Sequence, residues 1–461
     1  MQPSAQQILD AIRHHLESRQ SAALASYLTA LHPADIADVI GRFEADEQQQ
    51  VLDLLDVHER AEVIEYTHEV VRTEIVSDLD DQRVSEIAEE MPPEEAADLL
   101  SEMPEERAEH VLELMADEEA QEVEDLLQYP PETAGGRMAP ALARVRDDQS
   151  VGELLDQIRS SDDLGEEDIY YIYVVDGADR ALGTVALWDL LRADRQAPVR
   201  ELMETVQTIP ADMDQEEVAA LFGKYDLPAA PVVDASGRLL GRITHDDIQD
   251  VLQEEVDEDI SKFAGTDDEE LTSQSSITTA RLRLPWLLIC LAGTFVSGSV
   301  IHSYGGTLKA HLILMIFVPA VMATAGNSGL QTATMTIRSL ATGYVERVGA
   351  WALVLKQLKA TLLVALACGI AGGLAAGVWS HVSPEHVVAG GSLLLGAIIG
   401  GSMFAAICLS ATLGVLVPML FRKIGIDPAV ASGPLITTSS DIFSLLVYLG
   451  VATALLVRLG A

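Results

Sequence analysis

The stretch PLITTSSDIFSLLVYLGVATALLVRL, residues 434–459, decides how this chain is read. As a helix it is long enough to cross a bilayer core of about 30 Å, for which about 20 residues suffice. It nevertheless carries an acid, Asp441, where almost nothing else can ionise. A carboxylate at the centre of a membrane helix costs about 2.5 kcal/mol or more, so it persists where it faces a polar cavity, an ion or a partner. Asp441 is therefore the first candidate functional residue. The plainer alternative is an acid hydrogen-bonded inside a helix bundle.

Outward from this stretch, five apolar segments are long enough to span: residues 285–304, 308–340, 351–379, 387–421 and 430–459. From Arg281 onward there are ten basic and four acidic residues, about +6, and the preceding 280 residues hold the other 68 acidic and 19 basic ones, about −49. The net charge of −43 thus belongs to a soluble half. Arg281 and Arg283 precede the first span, Arg338, Arg347, Lys356 and Lys359 lie around the second connection, and Arg422 and Lys423 follow the fourth. Excess Lys and Arg mark cytoplasmic ends, so five spans place the acidic N-terminal half in the cytoplasm and the C-terminus outside the cell membrane; Lys309 and Arg458 are the outnumbered exceptions. The N-terminus has no apolar core of a cleavable signal.

The acidic half excludes nucleic acid as a partner, because phosphate binding relies on Lys and Arg, and it favours cations. Cys290, Cys368 and Cys408 lie in apolar segments without metal-type spacing and read as packing residues.

The second span is unlike a lipid-facing helix. Pro319 is followed by Ala325, Gly326, Asn327, Ser328, Gly329 and Gln331, a run expected to free backbone carbonyls and supply side-chain oxygen at membrane depth. A seam of small residues for close helix packing is the alternative. The fifth span opens on Gly433 and Pro434, followed by Thr437, Thr438, Ser439, Ser440 and Asp441, again rich in oxygen. Oxygen ligands without His or Cys suit magnesium, calcium or manganese rather than zinc or copper. Magnesium sheds water reluctantly, so one carboxylate per chain with carbonyls and amides could hold a hydrated ion in a pore.

In the soluble half, Val174, Val175, Asp176, Gly183 and Asp189 recur 58 residues later as Val232, Val233, Asp234, Gly241 and Asp247, each copy reading strand, turn, strand, helix. The second copy carries Gly241, Arg242, Ile243, Thr244, His245, Asp246, Asp247; the first has Ala186 where the second has Thr244. This resembles a tandem of cystathionine-beta-synthase-type (CBS) domains. In such domains the acid holds a ribose hydroxyl, which makes Asp189 a nucleotide candidate, for ATP. Upstream, Pro33–Ala37 and the parallel phrases 93–97 and 104–108 each run from Pro through acids to Ala, as suits helix starts; residues 1–128 read as short acidic helices stacked in a solenoid. YPPETAGG, residues 129–136, breaks helix and marks a linker.

The succession is thus a helical domain (1–128), a linker (129–137), two CBS domains (138–200 and 201–250), a connecting helix (251–280) and an all-α polytopic domain (281–461). It resembles the MgtE family of magnesium channels over essentially the whole chain. The specific pieces are YPPETAGGRM at 129–138, Pro319 with Gly326, Asn327, Gly329 and Gln331, and Asp427 and Pro428 followed by Pro434 and Asp441. The resemblance implies a homodimer with the pore on its two-fold axis. Asp441 matches the pore acid, with the Thr437 carbonyl and the Asn327 amide beside it. It also implies inhibitory magnesium sites at the CBS domains and the connecting helix. The matching acids are Asp214, Glu216, Asp226, Asp247, Glu255, Glu258 and Asp259, with Asp427 as the membrane-side partner. Asp247 is claimed by both the ribose and the metal reading, and metal is favoured. In the helical domain, Glu59 and Glu95 are the acids considered.

The expectation is a magnesium-selective channel closed by magnesium on its cytosolic acids. Mutual repulsion between two halves of about −49 each would be relieved by divalent ions. A proton-coupled divalent-cation carrier, with Asp441 titrating, is the alternative. A membrane enzyme lacks a second acid, His or nucleophile at that depth, and a CBS-bearing chloride channel would meet an acid in its pore.

Overall fold

The computed structural model describes residues 3–140, 143–160, 171–267, 270, 275–382, 391–430 and 433–459. The expected start of the fourth span at 387–390, with Glu385, lies outside these, as do 431–432 of the fifth and part of the expected connecting segment. The chain forms two compact units, Met1–Glu255 and Val256–Ala461.

The first unit opens with ten short helices, α1 (Ala5–Glu17) to α10 (Asp117–Leu127). Local chemistry starts them. Ser4 and Gln7 close a capping box on α1, Asp56 and Glu59 do the same on α5 (Val57–Glu65), and Asp80 caps α7 (Asp81–Glu90). Pro33 and Pro93 occupy the first turns of α3 (Pro33–Ile40) and α8 (Pro93–Ser101), where a missing N–H costs nothing. Pro104 is one place earlier, as the N-cap of α9 (Glu105–Leu114). Each helix buries one apolar face, so Ile12, Val39, Val63, Ile87 and Val111 lie in one continuous core.

Two small sheets follow. β2 (Arg144–Arg146) pairs parallel with β3 (Tyr171–Val175), which pairs antiparallel with β4 (Ala181–Ala186). In the second, β5 (Ile209–Pro210) pairs parallel with β6 (Ala229–Val233), and β6 antiparallel with β7 (Leu239–Thr244). The repeat seen in sequence is a repeat in space. Both hairpins carry a register shift 58 residues apart, at Val174/Val175 and Val232/Val233. Both turns are closed by the leading acid: Asp176 accepts from the N–H groups of Ala178 and Arg180, and Asp234 from those of Ser236 and Arg238. The two turns also pair with each other, Ala181 N donating to Gly237 O and Leu239 N to Asp179 O. β1 (Ala139–Pro140), at the start of the stretch read as the first CBS copy, adds to β7 of the second. Helix α14 (His245–Ala264) leaves β7, and the boundary between the units falls inside it.

Among the described residues the second unit holds five helices long and apolar enough to cross a membrane: Ser276–Ser303, Leu312–Ala341, Ala350–Val382, Gly391–Lys423 and Gly433–Leu459. The second span corrects the expectation of freed carbonyls, since Leu312–Ala341 runs as one helix through Pro319. Pro319 removes one N–H from the ladder, the donor to the carbonyl four residues back, and the helix continues past it through Ala325 to Gln331. The hydroxyls of Thr324, Thr332 and Thr336 turn back to the carbonyls of Ala320, Ser328 and Thr332, each at 2.7 Å. Small residues serve packing instead. A Cβ on Gly373 would lie 2.7 Å from the Gly396 carbonyl oxygen, and one on Gly396 2.6 Å from that of Gly373, so the third and fourth spans meet backbone to backbone. Tyr448, fully buried, donates its hydroxyl to Leu314 O at 3.1 Å and fastens the fifth span to the second.

Candidate functional site: a membrane carboxylate on a small-residue seam

Asp441 lies two turns into the last span and is half-buried. The second span comes close to it: a Cβ on Gly326 would lie 3.7 Å from Asp441 Oδ1. The glycine leaves the carboxylate room. Immediately behind, three spans are knotted by hydroxyls. Ser410 Oγ of the fourth span lies 2.6 Å from Ala325 O and 2.8 Å from Ser440 Oγ, so one buried serine ties the second span to the residue preceding Asp441. Gly329 packs against the same pair, a Cβ there meeting Ser410 Oγ at 2.6 Å and Ser440 Oγ at 2.7 Å. The seam therefore absorbs the neighbouring hydroxyls and leaves Asp441: among the described residues its carboxylate makes no hydrogen bond or ion pair.

Thr437 is one turn earlier on the same helix face. Its hydroxyl turns inward to Gly433 O at 2.7 Å and Pro434 O at 3.2 Å, and its carbonyl lies inside the helical ladder. Asn327 follows Gly326 and is exposed on the second span. Asp441, Thr437 and Asn327 thus occupy an incompletely covered face, with the serine seam on the buried side.

Just before the start of the last span a second cluster forms. Asp427 caps the short turn Pro428–Val430, Oδ1 accepting from Ala429 N at 2.8 Å, while Oδ2 accepts from Lys262 Nζ at 3.0 Å. The same ammonium is paired with Glu258 one turn back on α14. Asp259 is the next residue; burial, then the charges of Asp427 and Glu258, push its carboxyl up. Burial works to lower Lys262, but its bonds to the two carboxylates outweigh that and leave it raised. The end of α14 also touches the last span. Gly265 adopts φ +77°, and a Cβ on it would lie 2.7 Å from Pro434 Cγ; one on Gly433 would lie 3.1 Å from Phe263 O.

The acids of the first unit are placed as follows. Asp214 caps α13 (Gln215–Tyr225), accepting from Glu216 N at 2.9 Å, and Asp226 ends that helix in the left-handed region at φ 51°. At about 1.5 Å per residue they lie about 18 Å apart, so they cannot share one ion within a chain. Asp214, Glu216 and Asp226 are exposed. Asp247 is half-buried and accepts from Thr244 N at 2.7 Å and Thr244 Oγ1 at 2.8 Å; burial pushes it up, and those two bonds oppose that. Asp189, at the matching place, follows Ala186, which offers no side-chain cap, and is exposed. Glu255 accepts from Gln215 Nε2 at 2.7 Å, and Gln215 Oε1 accepts from Arg137 Nε at 3.1 Å. Arg137 reaches on to Asp98 at 3.3 Å and to Glu254. By helical spacing Glu255, Glu258 and Asp259 share one face of α14. Glu59 completes the capping box of α5, whereas burial, then the Asp98 charge, pushes Glu95 up to about 8. Among the described residues no three His, Cys, Asp or Glu side chains converge as a metal site.

Residues 318–451 match a family described as "Divalent cation transporter", residues 31–132 match "MgtE intracellular N domain" and residues 199–254 match "CBS domain". The magnesium transporter MgtE of Thermus thermophilus is 37% identical over 336 residues, 72% of each chain. The chain belongs to the MgtE family. The Bacillus subtilis magnesium transporter MgtE is 33% identical over 331 residues, 71% of each chain. A crystal structure of the cytosolic domain of the Mg2+ channel MgtE in complex with ATP superposes with a TM-score of 0.50 at 34% identity, covering 53% of this chain and 99% of that one.

As an MgtE-family member the chain is a multi-pass membrane transporter with a cytosolic N-terminal domain, and not an enzyme. Sequence reasoning missed Gly326 as the residue facing the acid, Ser410 as the link between spans, and Lys262. The small residues of the fourth span were visible as a pattern, but which of them meets Ser440 is a matter of helix rotation.

Proposed function

We propose that the chain is a magnesium transporter working as a Mg2+-selective channel, a homodimer with its pore between the two membrane domains and its C-terminus outside the cell. One observation carries this reading: Asp441 is a lone carboxylate at membrane depth, without a partner among the described residues, on a face that one chain leaves partly uncovered. Two such faces brought together would place two carboxylates around one hydrated ion. Magnesium keeps its inner waters, so attraction at a distance and hydrogen bonds to that shell hold it, with Thr437 and Asn327 beside the acid. The relatives' names support magnesium as the cargo.

On this reading residues 281–461 form the pore, and residues 1–128 with the CBS pair at 138–200 and 201–250 form the sensor, joined by 251–280. Mg2+ on Asp214, Glu216, Asp226, Asp247, Glu255, Glu258, Asp259 and Asp427 stabilises the closed state, since a ligand shifts a conformational equilibrium only by its differential affinity. ATP binds at the CBS pair, with Asp189 on a ribose hydroxyl; the ATP complex of the similar cytosolic domain supports this.

The decisive experiment is Mg2+ uptake into vesicles holding wild type, Asp441→Asn or Asp441→Ala. Charge attraction predicts a fall in both variants at preserved dimer yield. Uptake by Asp441→Asn equal to wild type sinks the charged-pore reading, and uptake that collapses with the proton gradient turns it into a carrier.

A further inference from the structure

The clearest unassigned feature is a lysine among carboxylates. Lys262 Nζ lies 3.0 Å from Asp427 Oδ2 and pairs with Glu258, while Asp427 Oδ1 is occupied by Ala429 N at 2.8 Å. A divalent ion that took Asp427 as a ligand through Oδ2 would sit a few Å from the ammonium already held on that oxygen, and the repulsion between the two cations favours displacing the lysine. All three side chains are about one-third exposed, so the exchange is open to solvent. Phe263 and Gly265, immediately after the lysine, lie against Gly433 and Pro434, the first residues of the span that carries Asp441. A change of cation at this point is therefore passed directly to the start of that span.

We propose that Lys262 is a tethered cation that competes with Mg2+ for Glu258 and Asp427, and so sets the Mg2+ concentration at which the transporter closes. The inference rests on the regulatory reading of those two acids. Without divalent ion the ammonium keeps the end of α14 joined to the loop before the last span; with it, Mg2+ displaces one positive charge and replaces it with two. The lysine acts as a threshold, since an ion bound by Glu258 and Asp427 must compete with its two ion pairs. A merely structural lysine, helping the metal-bound form, would move the threshold the other way, so the sign of the effect separates the two.

The test uses the full chain in lipid nanodiscs, with Mg2+ titrated from an EDTA baseline and protease cleavage of the segment around α14 as readout, alongside Mg2+ inhibition of uptake in vesicles. Lys262→Met is expected to speed cleavage in EDTA and to reach half-protection at about two- to fivefold lower Mg2+, the factor that a partly exposed ion pair commands. Inhibition of uptake should shift in the same direction, and Lys262→Arg should stay near wild type. A shift to higher Mg2+, or none, overturns the competition. The pair Glu258→Gln with Asp427→Asn is the control: if Mg2+ protection persists unchanged in it, the regulatory reading falls and this inference with it, whereas protection lost there but unmoved by Lys262→Met overturns the inference alone.

Discussion

Gly414→Ala tests whether the seam behind Asp441 holds the membrane unit together. An added Cβ would meet the Gly329 carbonyl oxygen far inside van der Waals contact, with Ala333 N at 3.1 Å and Gly329 C at 3.2 Å. All three are backbone atoms of the second span, so no rotamer change relieves the overlap. Carbon contacts are attractive only from about 3.5 Å outward, and relief requires the second and fourth spans to part by about 1 Å. Overpacking of this kind costs about 1–3 kcal/mol, and a backbone collision belongs at the upper end. Alanine's helix propensity returns about 1 kcal/mol, leaving a net loss of about 2 kcal/mol. Gly401, on the same helix, has nothing within 4 Å of an added Cβ, so Gly401→Ala should gain about 1 kcal/mol. The assay is denaturant unfolding of the full chain in detergent micelles followed by tryptophan fluorescence. The two variants should differ by about 3 kcal/mol, with opposite signs relative to wild type. Equal stability of the two would refute the seam. Because Ser410 links Ala325 O to Ser440, Gly414→Ala should also lower Mg2+ uptake, whereas Gly401→Ala should not.

Neutralising Asp214, Glu216, Asp226, Asp247, Glu255, Glu258 and Asp259 together should leave the transporter conducting at Mg2+ concentrations that close wild type, with single substitutions acting partially; superimposable inhibition curves in patch recordings would retire the sensor. Glu95 makes stability depend on pH. Its carboxyl rises from an ordinary 4.5 to about 8 in the folded chain, chiefly by burial, so the folded form keeps a proton that the unfolded form releases. The stabilisation is fully present below about pH 4.5 and is lost as pH rises through about 8. Glu95→Gln should flatten the fall in thermal midpoint of the helical domain between pH 5 and pH 8, and an unchanged slope would contradict the assignment.

Much was legible in the residues themselves. Five spans, the acidic cytosolic half and the CBS repeat all follow from period, composition and charge, because hydrocarbon and water select side chains along the chain without reference to its fold. Asp441 stood out for the same reason: few segments can afford a charge at membrane depth. Its match to a known motif named the cargo.

Only the tertiary structure decided what surrounds that acid. The run from Ala325 to Gln331 could equally free its backbone or pack against neighbours, and the fold chose packing, because Ser410 and Gly414 of a distant segment arrive at the positions where side chains are absent. Capping explains further surprises: Asp214, Asp226 and Asp247 read as ligands, yet each also ends or begins a helix, a role set by backbone geometry that composition cannot express. Lys262 was one base among many acids in the sequence. Its place between Glu258 and Asp427 depends on bringing together residues 165 positions apart, and local pattern carries no information about contacts at that distance.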